Sequence, residues 1–320
     1  MATTRLVTTS LGTNREAFSP SDWALFLSLA LIWGSSFLFI AIGLDAFHPG
    51  LVTMLRVALG TSFLALIPRT RSVKIDREDL GKVTLLAATW VAVPFTLFPI
   101  AQQWIDSAIA GMLNGATPIF TALLATVLLR SLPGPLQISG LVVGFAGILA
   151  IALPSAEGGT IAAVGVTLVV AATIGYAVSL NMITPLQQKY GSLPLMARVQ
   201  MIATIMVLPF GLVGLGKSTF AWPSLLAVAA IGVLGTGLAF VLMGTLAGSV
   251  GATRASFLTY LIPVVALVLG VIFRNESISP LAIGGVGLVI AGAILASRRE
   301  SPKMPAVAAA VSGRDQRGPA

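Results

Sequence analysis

Residues 51–68 read LVTMLRVALGTSFLALIP, and the single charge among them, Arg56, decides how the chain must fold. The run is apolar and long enough to enter a bilayer. A guanidinium turned to lipid near the middle of such a run costs about 3 kcal/mol. Arg56 therefore predicts a polar interior shared with neighbouring segments, not a lipid-facing wall. Its one other outlet is to snorkel to the outer headgroups, since it lies only about 9 Å along the axis from the start of its helix.

The rest of the chain agrees with a bilayer as solvent. Of 320 residues, 56% are hydrophobic and 9% charged, with a mean hydropathy of +0.97. A soluble chain carries about a quarter charged residues, so lipid must replace water around most of this surface. The net charge of +8 would suit nucleic acid if the basic residues formed a patch interleaved with aromatics. They gather instead between apolar segments and toward the two ends, so nucleic acid is not an expected partner. There is no cysteine and one histidine, His48, so no metal site and no cofactor are expected. Residues 1–22 lack the apolar core and small-residue cleavage site of a signal peptide, and the first apolar segment is expected to be a retained anchor.

Windows of about 20 apolar residues fall at 23–43, 50–68, 82–101, 107–129 and 136–153, and again at 161–183, 193–215, 223–246, 252–273 and 281–297. The expected fold class is all-α and integral to the membrane, with ten transmembrane helices. The breaks carry turn chemistry, as in His48-Pro49-Gly50, Leu132-Pro133-Gly134-Pro135 and Lys189-Tyr190-Gly191. With the N-terminus inside, fourteen of the 19 Lys and Arg fall on the cytoplasmic side and only Lys217 and Arg274 outside, Arg56, Arg198 and Arg254 lying within or at the edge of spans. Cytoplasmic loops hold the excess, so both termini are expected in the cytoplasm. Residues 1–22 would be a cytoplasmic tail. Residues 298–320, rich in Pro, Ala and scattered charges, would be a disordered basic tail.

Laying 106–151 over 251–296 without gaps gives ten identities in 46 positions. Pro118 meets Pro263, Pro135-Leu136 meets Pro280-Leu281, Gly140 meets Gly285, and Ala146-Gly147 meets Ala291-Gly292. Most are turn and packing residues, which chance does not favour. Arg56 is likewise echoed by Arg198, near the start of the seventh window. Two five-helix halves follow, and because five is odd the second half must enter upside down, as an inverted repeat.

Further pieces keep their order across both halves: Ala30 to Phe37 (ALIWGSSF), Arg56, Ile109 to Ala125 (IAGMLNGATPIFTALLA), Leu234 to Ala239 (LGTGLA), Gly251 to Ser256 (GATRAS), and Pro263 to Glu276 followed by Gly285 and Gly292. In these the chain resembles the EamA-like branch of the drug/metabolite transporter superfamily, over 23–297. The resemblance implies two EamA-like repeats, 23–153 and 161–297, in a multi-pass protein of the cell (inner) membrane. It implies secondary transport of small metabolites, often outward, amino acids and their analogues among them, by alternating access. The pathway would be walled by helices 1, 3, 4, 6, 8 and 9. One departure stands out: members often carry a glutamate after helix 4, as Glu276 follows helix 9, whereas Arg130-Ser131 occupies that place here.

Polar groups inside spans are where a pathway would be written, because an unsatisfied donor facing lipid is costly. Asn114 lies at helical spacing from Thr117 and Thr121, beside Pro118, and this face is a candidate cavity wall; bonding a neighbouring helix is the plainer use of such an Asn. Thr259 takes the matching place in helix 9, followed by Tyr260. Pro118 and Pro263 each free a carbonyl one turn earlier and are candidate helix kinks. Trp33, Trp90, Phe95, Phe98 and Tyr176 could stack on a planar or apolar solute, although core packing is the commoner use of each alone. Trp23, Trp104 and Trp222 sit near span ends like belt residues. The expected solute-binding set is Arg56, Asn114, Trp33, Ser36, Trp90, Tyr176, Asn181 and Tyr260, with Gln200 a weaker candidate. Arg56 would meet a carboxylate or phosphate of the solute.

No Walker lysine, HExxH or GxSxG is present, so an ATP-driven pump or a membrane hydrolase has little support and no enzyme is expected. Asp45, Asp106, Glu157 and Glu276 all fall near interfaces, which leaves a coupling proton, like a second copy of the chain, as a candidate partner beside the small-molecule substrate and the lipid bilayer. A non-transporting membrane sensor or scaffold on the same fold is the alternative from another class.

Overall fold

The computed structural model describes residues 19–129, 134–156, 159–250 and 255–297, and every regular element among them is helical. In chain order the helices are α1 (Pro20–Leu44), α2 (Pro49–Ala65), α3 (Arg77–Ala101), α4 (Ser107–Ala125), α5 (Pro135–Pro154), α6 (Thr160–Tyr190), α7 (Ser192–Leu215), α8 (Trp222–Leu246), α9 (Leu258–Arg274) and α10 (Pro280–Leu295). Seven are long and apolar enough to cross a membrane; α2, α9 and α10 are apolar but shorter. Large apolar side chains such as Leu31, Ile205, Leu226 and Ile272 stand exposed, a surface suited to lipid and not to water. The Arg130-Ser131 departure, Arg254, residues 1–18 and residues 298–320 lie outside the described residues, while 20–22, expected in the N-terminal tail, already belong to α1.

Local chemistry sets the helix ends. Ser19 accepts from the Asp22 backbone N–H while the Asp22 carboxylate takes the Ser19 N–H, a capping box ahead of α1. His48 Nδ1 accepts from the Gly50 N–H at 3.1 Å, so the one histidine is a helix cap. The α6 helix runs seven residues past its sequence window and stops at Gly191, whose φ of +78° is one that side chains with a Cβ rarely adopt.

The helices pack in pairs. The most extensive contacts are α5 with α10 and α2 with α7; α1 and α2 pack on α8, α6 on α3, α4 on α9 and α3 on α7. Close approach of α5 and α10 depends on glycine. A Cβ on Gly292 would strike Gly144 backbone and come within 2.6 Å of the Gly140 carbonyl oxygen, and one on Gly147 would lie 2.7 Å from the Gly285 carbonyl oxygen.

Several helices are irregular inside. Widened π-helical turns occupy Ala87–Ala92 of α3 and Ile231–Leu238 of α8. The α4 helix is interrupted at Gly115–Ala116, one turn before Pro118, and Gly115 sits against Pro263 of α9. Because of that break the expected polar face of α4 is not a simple stripe: the Thr117 and Thr121 hydroxyls turn back to donate to the carbonyls of Asn114 and Thr117.

Each end of the bundle is tied. At one end Glu276, just past α9, accepts from the Ser107 hydroxyl at 2.6 Å, the Ser107 N–H at 2.9 Å and the Ala108 N–H at 2.8 Å, so its carboxylate caps α4. Beside it Arg274 grips Asp45 with two bonds of 2.8 and 3.0 Å. At the other end Asp79 accepts from Lys82, Lys189 and Tyr190 at 2.6 to 2.7 Å. The neighbouring Asp76 takes Lys189 at 2.8 Å. Hydrogen bonds from Lys189 and then Tyr190 hold the Asp76 carboxyl below the usual carboxylate range. A lowered folded value contributes stability in full above the unfolded value and loses it as pH falls through the folded one, so this joint keeps its strength above about pH 4 and weakens only on further acidification.

Loss of the Glu276 cap has a measurable consequence. Glu276→Ala deletes three charge-assisted bonds and should destabilise the chain by about 2–3 kcal/mol, read as a lower Tm in detergent. An unchanged Tm would show the cap to be idle.

Candidate functional site

Arg56 is 5% exposed and points into the bundle. Its Nε donates to Thr236 Oγ1 of α8 at 3.0 Å, and its guanidinium lies 3.5 Å from the centre of the Phe95 ring on α3. Among the described residues no carboxylate pairs with it and no group takes a hydrogen bond from its terminal nitrogens. Nε and one ring face are thus committed while the terminal fork stays free. That fork matches the two oxygens of a carboxylate.

The π-helical turn of α8 makes this arrangement. Gly60 and Gly232 let α2 and α8 close: a Cβ on Gly60 would lie 2.7 Å from Thr236 Cγ2, and one on Gly232 would lie 3.0 Å from the Arg56 carbonyl oxygen. A π turn leaves carbonyls badly placed for their own helix, and side chains take them up. Thr236 Oγ1 donates to the Ile231 carbonyl, Gln200 Nε2 of α7 donates to the Thr236 carbonyl at 2.6 Å, and Trp33 Nε1 of α1 donates to the Gly235 carbonyl at 3.1 Å.

Further aromatic rings belong to the same helices and to α6. Phe240 makes edge contacts with Trp33 and with Trp90, each at 6.1 Å between centroids. Phe98 stacks on Tyr176 at 6.0 Å and meets Phe37 edge-on at 5.4 Å. Tyr176 lies near Arg56. Trp33, Trp90 and Tyr176 are only half-buried. The structure therefore gathers Arg56, Trp33, Trp90 and Tyr176 of the expected set. Ser36 is adjacent, its hydroxyl donating to the Ile32 carbonyl and facing Gly235.

The others lie apart. Asn181 donates to the Thr121 and Ala177 carbonyls, tying α6 to α4. Asn114, at the α4 break, has a buried side-chain oxygen without a partner among the described residues. Tyr260 closes a 3₁₀ turn at the start of α9 and packs on the main core, while Pro263 stands in the next turn. Arg198 is half-buried near the start of α7. Thr236 and Phe240 were missed by sequence reasoning; the LGTGLA run pointed at their segment without singling them out.

Two stretches of the chain, 23–153 and 163–298, match the EamA-like transporter family. The chain belongs to the EamA-like transporter family. Among its relatives, a protein of Streptantibioticus cattleyicolor named a probable terminal-alkyne amino-acid exporter is 28% identical, over 88% of this chain and 94% of that one. A Salmonella typhimurium protein named a probable amino-acid metabolite efflux pump is 24% identical, over 86% and 94%. Escherichia coli YedA, an uncharacterized inner membrane transporter, is 27% identical over 86% and 90%. A crystal structure 18% identical to this EamA-like chain shares its fold, with a TM-score of 0.57 over 87% of this chain and 97% of that one. This EamA-like protein is a multi-pass membrane transporter, and family and relatives are transporters, not enzymes.

Proposed function

We propose that this chain is a secondary carrier that exports small carboxylate-bearing metabolites, amino acids and related compounds, across the inner membrane by alternating access. The observation that carries the reading is Arg56: a buried guanidinium with a free fork, held by Thr236 and Phe95. An Arg kept only for stability would be expected to have its fork paired. The names of the relatives from Streptantibioticus cattleyicolor and Salmonella typhimurium support amino-acid-like cargo and outward movement.

Two inverted halves, 23–153 and 161–297, would supply the motion. Counting the three shorter helices with the seven long ones gives ten crossings, and the positive charge then favours both termini in the cytoplasm. Exchange of the halves maps α2 on α8 to α7 on α3, and α6 on α3 to α1 on α8, each a pair in contact. The glycine seam supports the same exchange: Gly140 matches Gly285 and Gly147 matches Gly292 in sequence, and Gly147 meets Gly285 while Gly292 meets Gly140. Such symmetry suits a carrier that rocks about a central site. Nothing at the site favours a sensor or scaffold.

The test is efflux of a preloaded panel of amino acids, 2-oxo acids and related carboxylates from cells with and without the protein. At least one carboxylate should leave faster with it; equal efflux of every solute would sink the proposal.

A further inference from the structure

We infer that the Arg56 site prefers solutes of single net negative charge, apolar or aromatic monocarboxylates such as 2-oxo acids and N-acylated amino acids, over zwitterionic amino acids. The inference rests on the carboxylate reading above. Charge balance in a dry interior carries it. Of eleven acidic residues seven are described, and each lies at a helix end or between helices, as Asp45 does against Arg274 and Glu276 against α4. None pairs with Arg56.

A monoanion on the Arg56 fork therefore leaves the interior neutral. A zwitterion brings its ammonium as well and restores a net positive charge with no anion among the described residues to meet it, which a low-dielectric site penalises. The backbone acceptors of the π turn are already engaged, Ile231 by Thr236, Gly235 by Trp33 and Thr236 by Gln200. What remains for an ammonium is Gln200 Oε1, buried without a hydrogen-bond partner among the described residues, and the faces of Trp33, Trp90 and Phe240; one neutral amide oxygen and cation–π attraction replace only part of the hydration an ammonium gives up. Those same rings favour an apolar or aromatic tail without any charge.

Calorimetric titration of the full chain in lipid nanodiscs, with L-phenylalanine, phenylpyruvate and N-acetyl-L-phenylalanine as probes, tests this. Both monoanions should bind at least about ten-fold tighter than the amino acid, and Arg56→Ala should abolish their binding. Arg56→Lys, which keeps the charge, should retain the order of preference with weaker binding throughout and so guards against a folding defect in the alanine variant. L-phenylalanine bound as tightly as the monoanions, and lost in Arg56→Ala, would overturn the inference while the carrier reading stood. Monoanion binding that survives Arg56→Ala, or no binding by any of the three, would overturn both.

Discussion

Arg56→Ala should lower kcat/KM for a carboxylate solute by about 10²- to 10³-fold in proteoliposomes. Removing one member of a desolvated charge pair costs about 3–4 kcal/mol in comparable sites, and each 1.4 kcal/mol is about ten-fold. Three contacts go at once: the free fork, the Nε bond to Thr236, and the cover over Phe95. The last two are structural, so the alanine variant must first be shown to insert and to elute as a single species. Arg56→Lys separates charge from geometry. Its ammonium keeps the positive charge but cannot bond Thr236 and present a planar fork together, and it should fall about ten-fold short of the intact chain. Thr236→Val removes only the hydroxyl that fixes Nε; it should raise KM several-fold, about 3- to 10-fold, with little change in kcat. If Arg56→Ala transports as well as the intact chain, Arg56 does not touch the solute.

How much of this could be read beforehand depends on whether a signal is local. The helices were legible because apolar windows of membrane length need no tertiary information, and Arg56 because a charge in such a window has so few places to go. Thr236 was not legible. Threonine in a membrane helix usually bonds back to its own turn, and Thr236 does so too, to Ile231; only its pairing with Arg56, 180 residues away, makes it special. The π turns escaped for a related reason, since a window of hydropathy does not register a locally wider turn. Glu276 looked like one more interfacial carboxylate, and its place on the α4 N-terminus exists only once α9 ends beside Ser107. Asn114, Thr117 and Thr121 share a face on an ideal helix, but Pro118 lacks the N–H that would hold the preceding turn, and the helix breaks there instead.

Gly292→Ala should destabilise the chain by about 3 kcal/mol, at the upper end for overpacking. A Cβ there meets backbone on every side, the Gly144 Cα at 2.5 Å and the Gly140 carbonyl oxygen at 2.6 Å. No flexible side chain stands in the way to move aside, so α5 and α10 must separate along a seam that has small residues because the backbones touch. Gly284 and Gly287 lie on the same helix, yet a Cβ at either meets nothing within 4 Å. Gly284→Ala and Gly287→Ala should therefore be neutral, or stabilising by up to about 1 kcal/mol from helix propensity. Hydropathy and composition cannot tell these three glycines apart; only the packing partner does. Thermal unfolding of the three variants in one detergent, followed by loss of monodispersity, measures the contrast. A Gly292→Ala protein as stable as Gly284→Ala would mean that α5 and α10 do not approach as closely as described, and the Gly147–Gly285 and Gly292–Gly140 contacts would cease to support two exchanged halves.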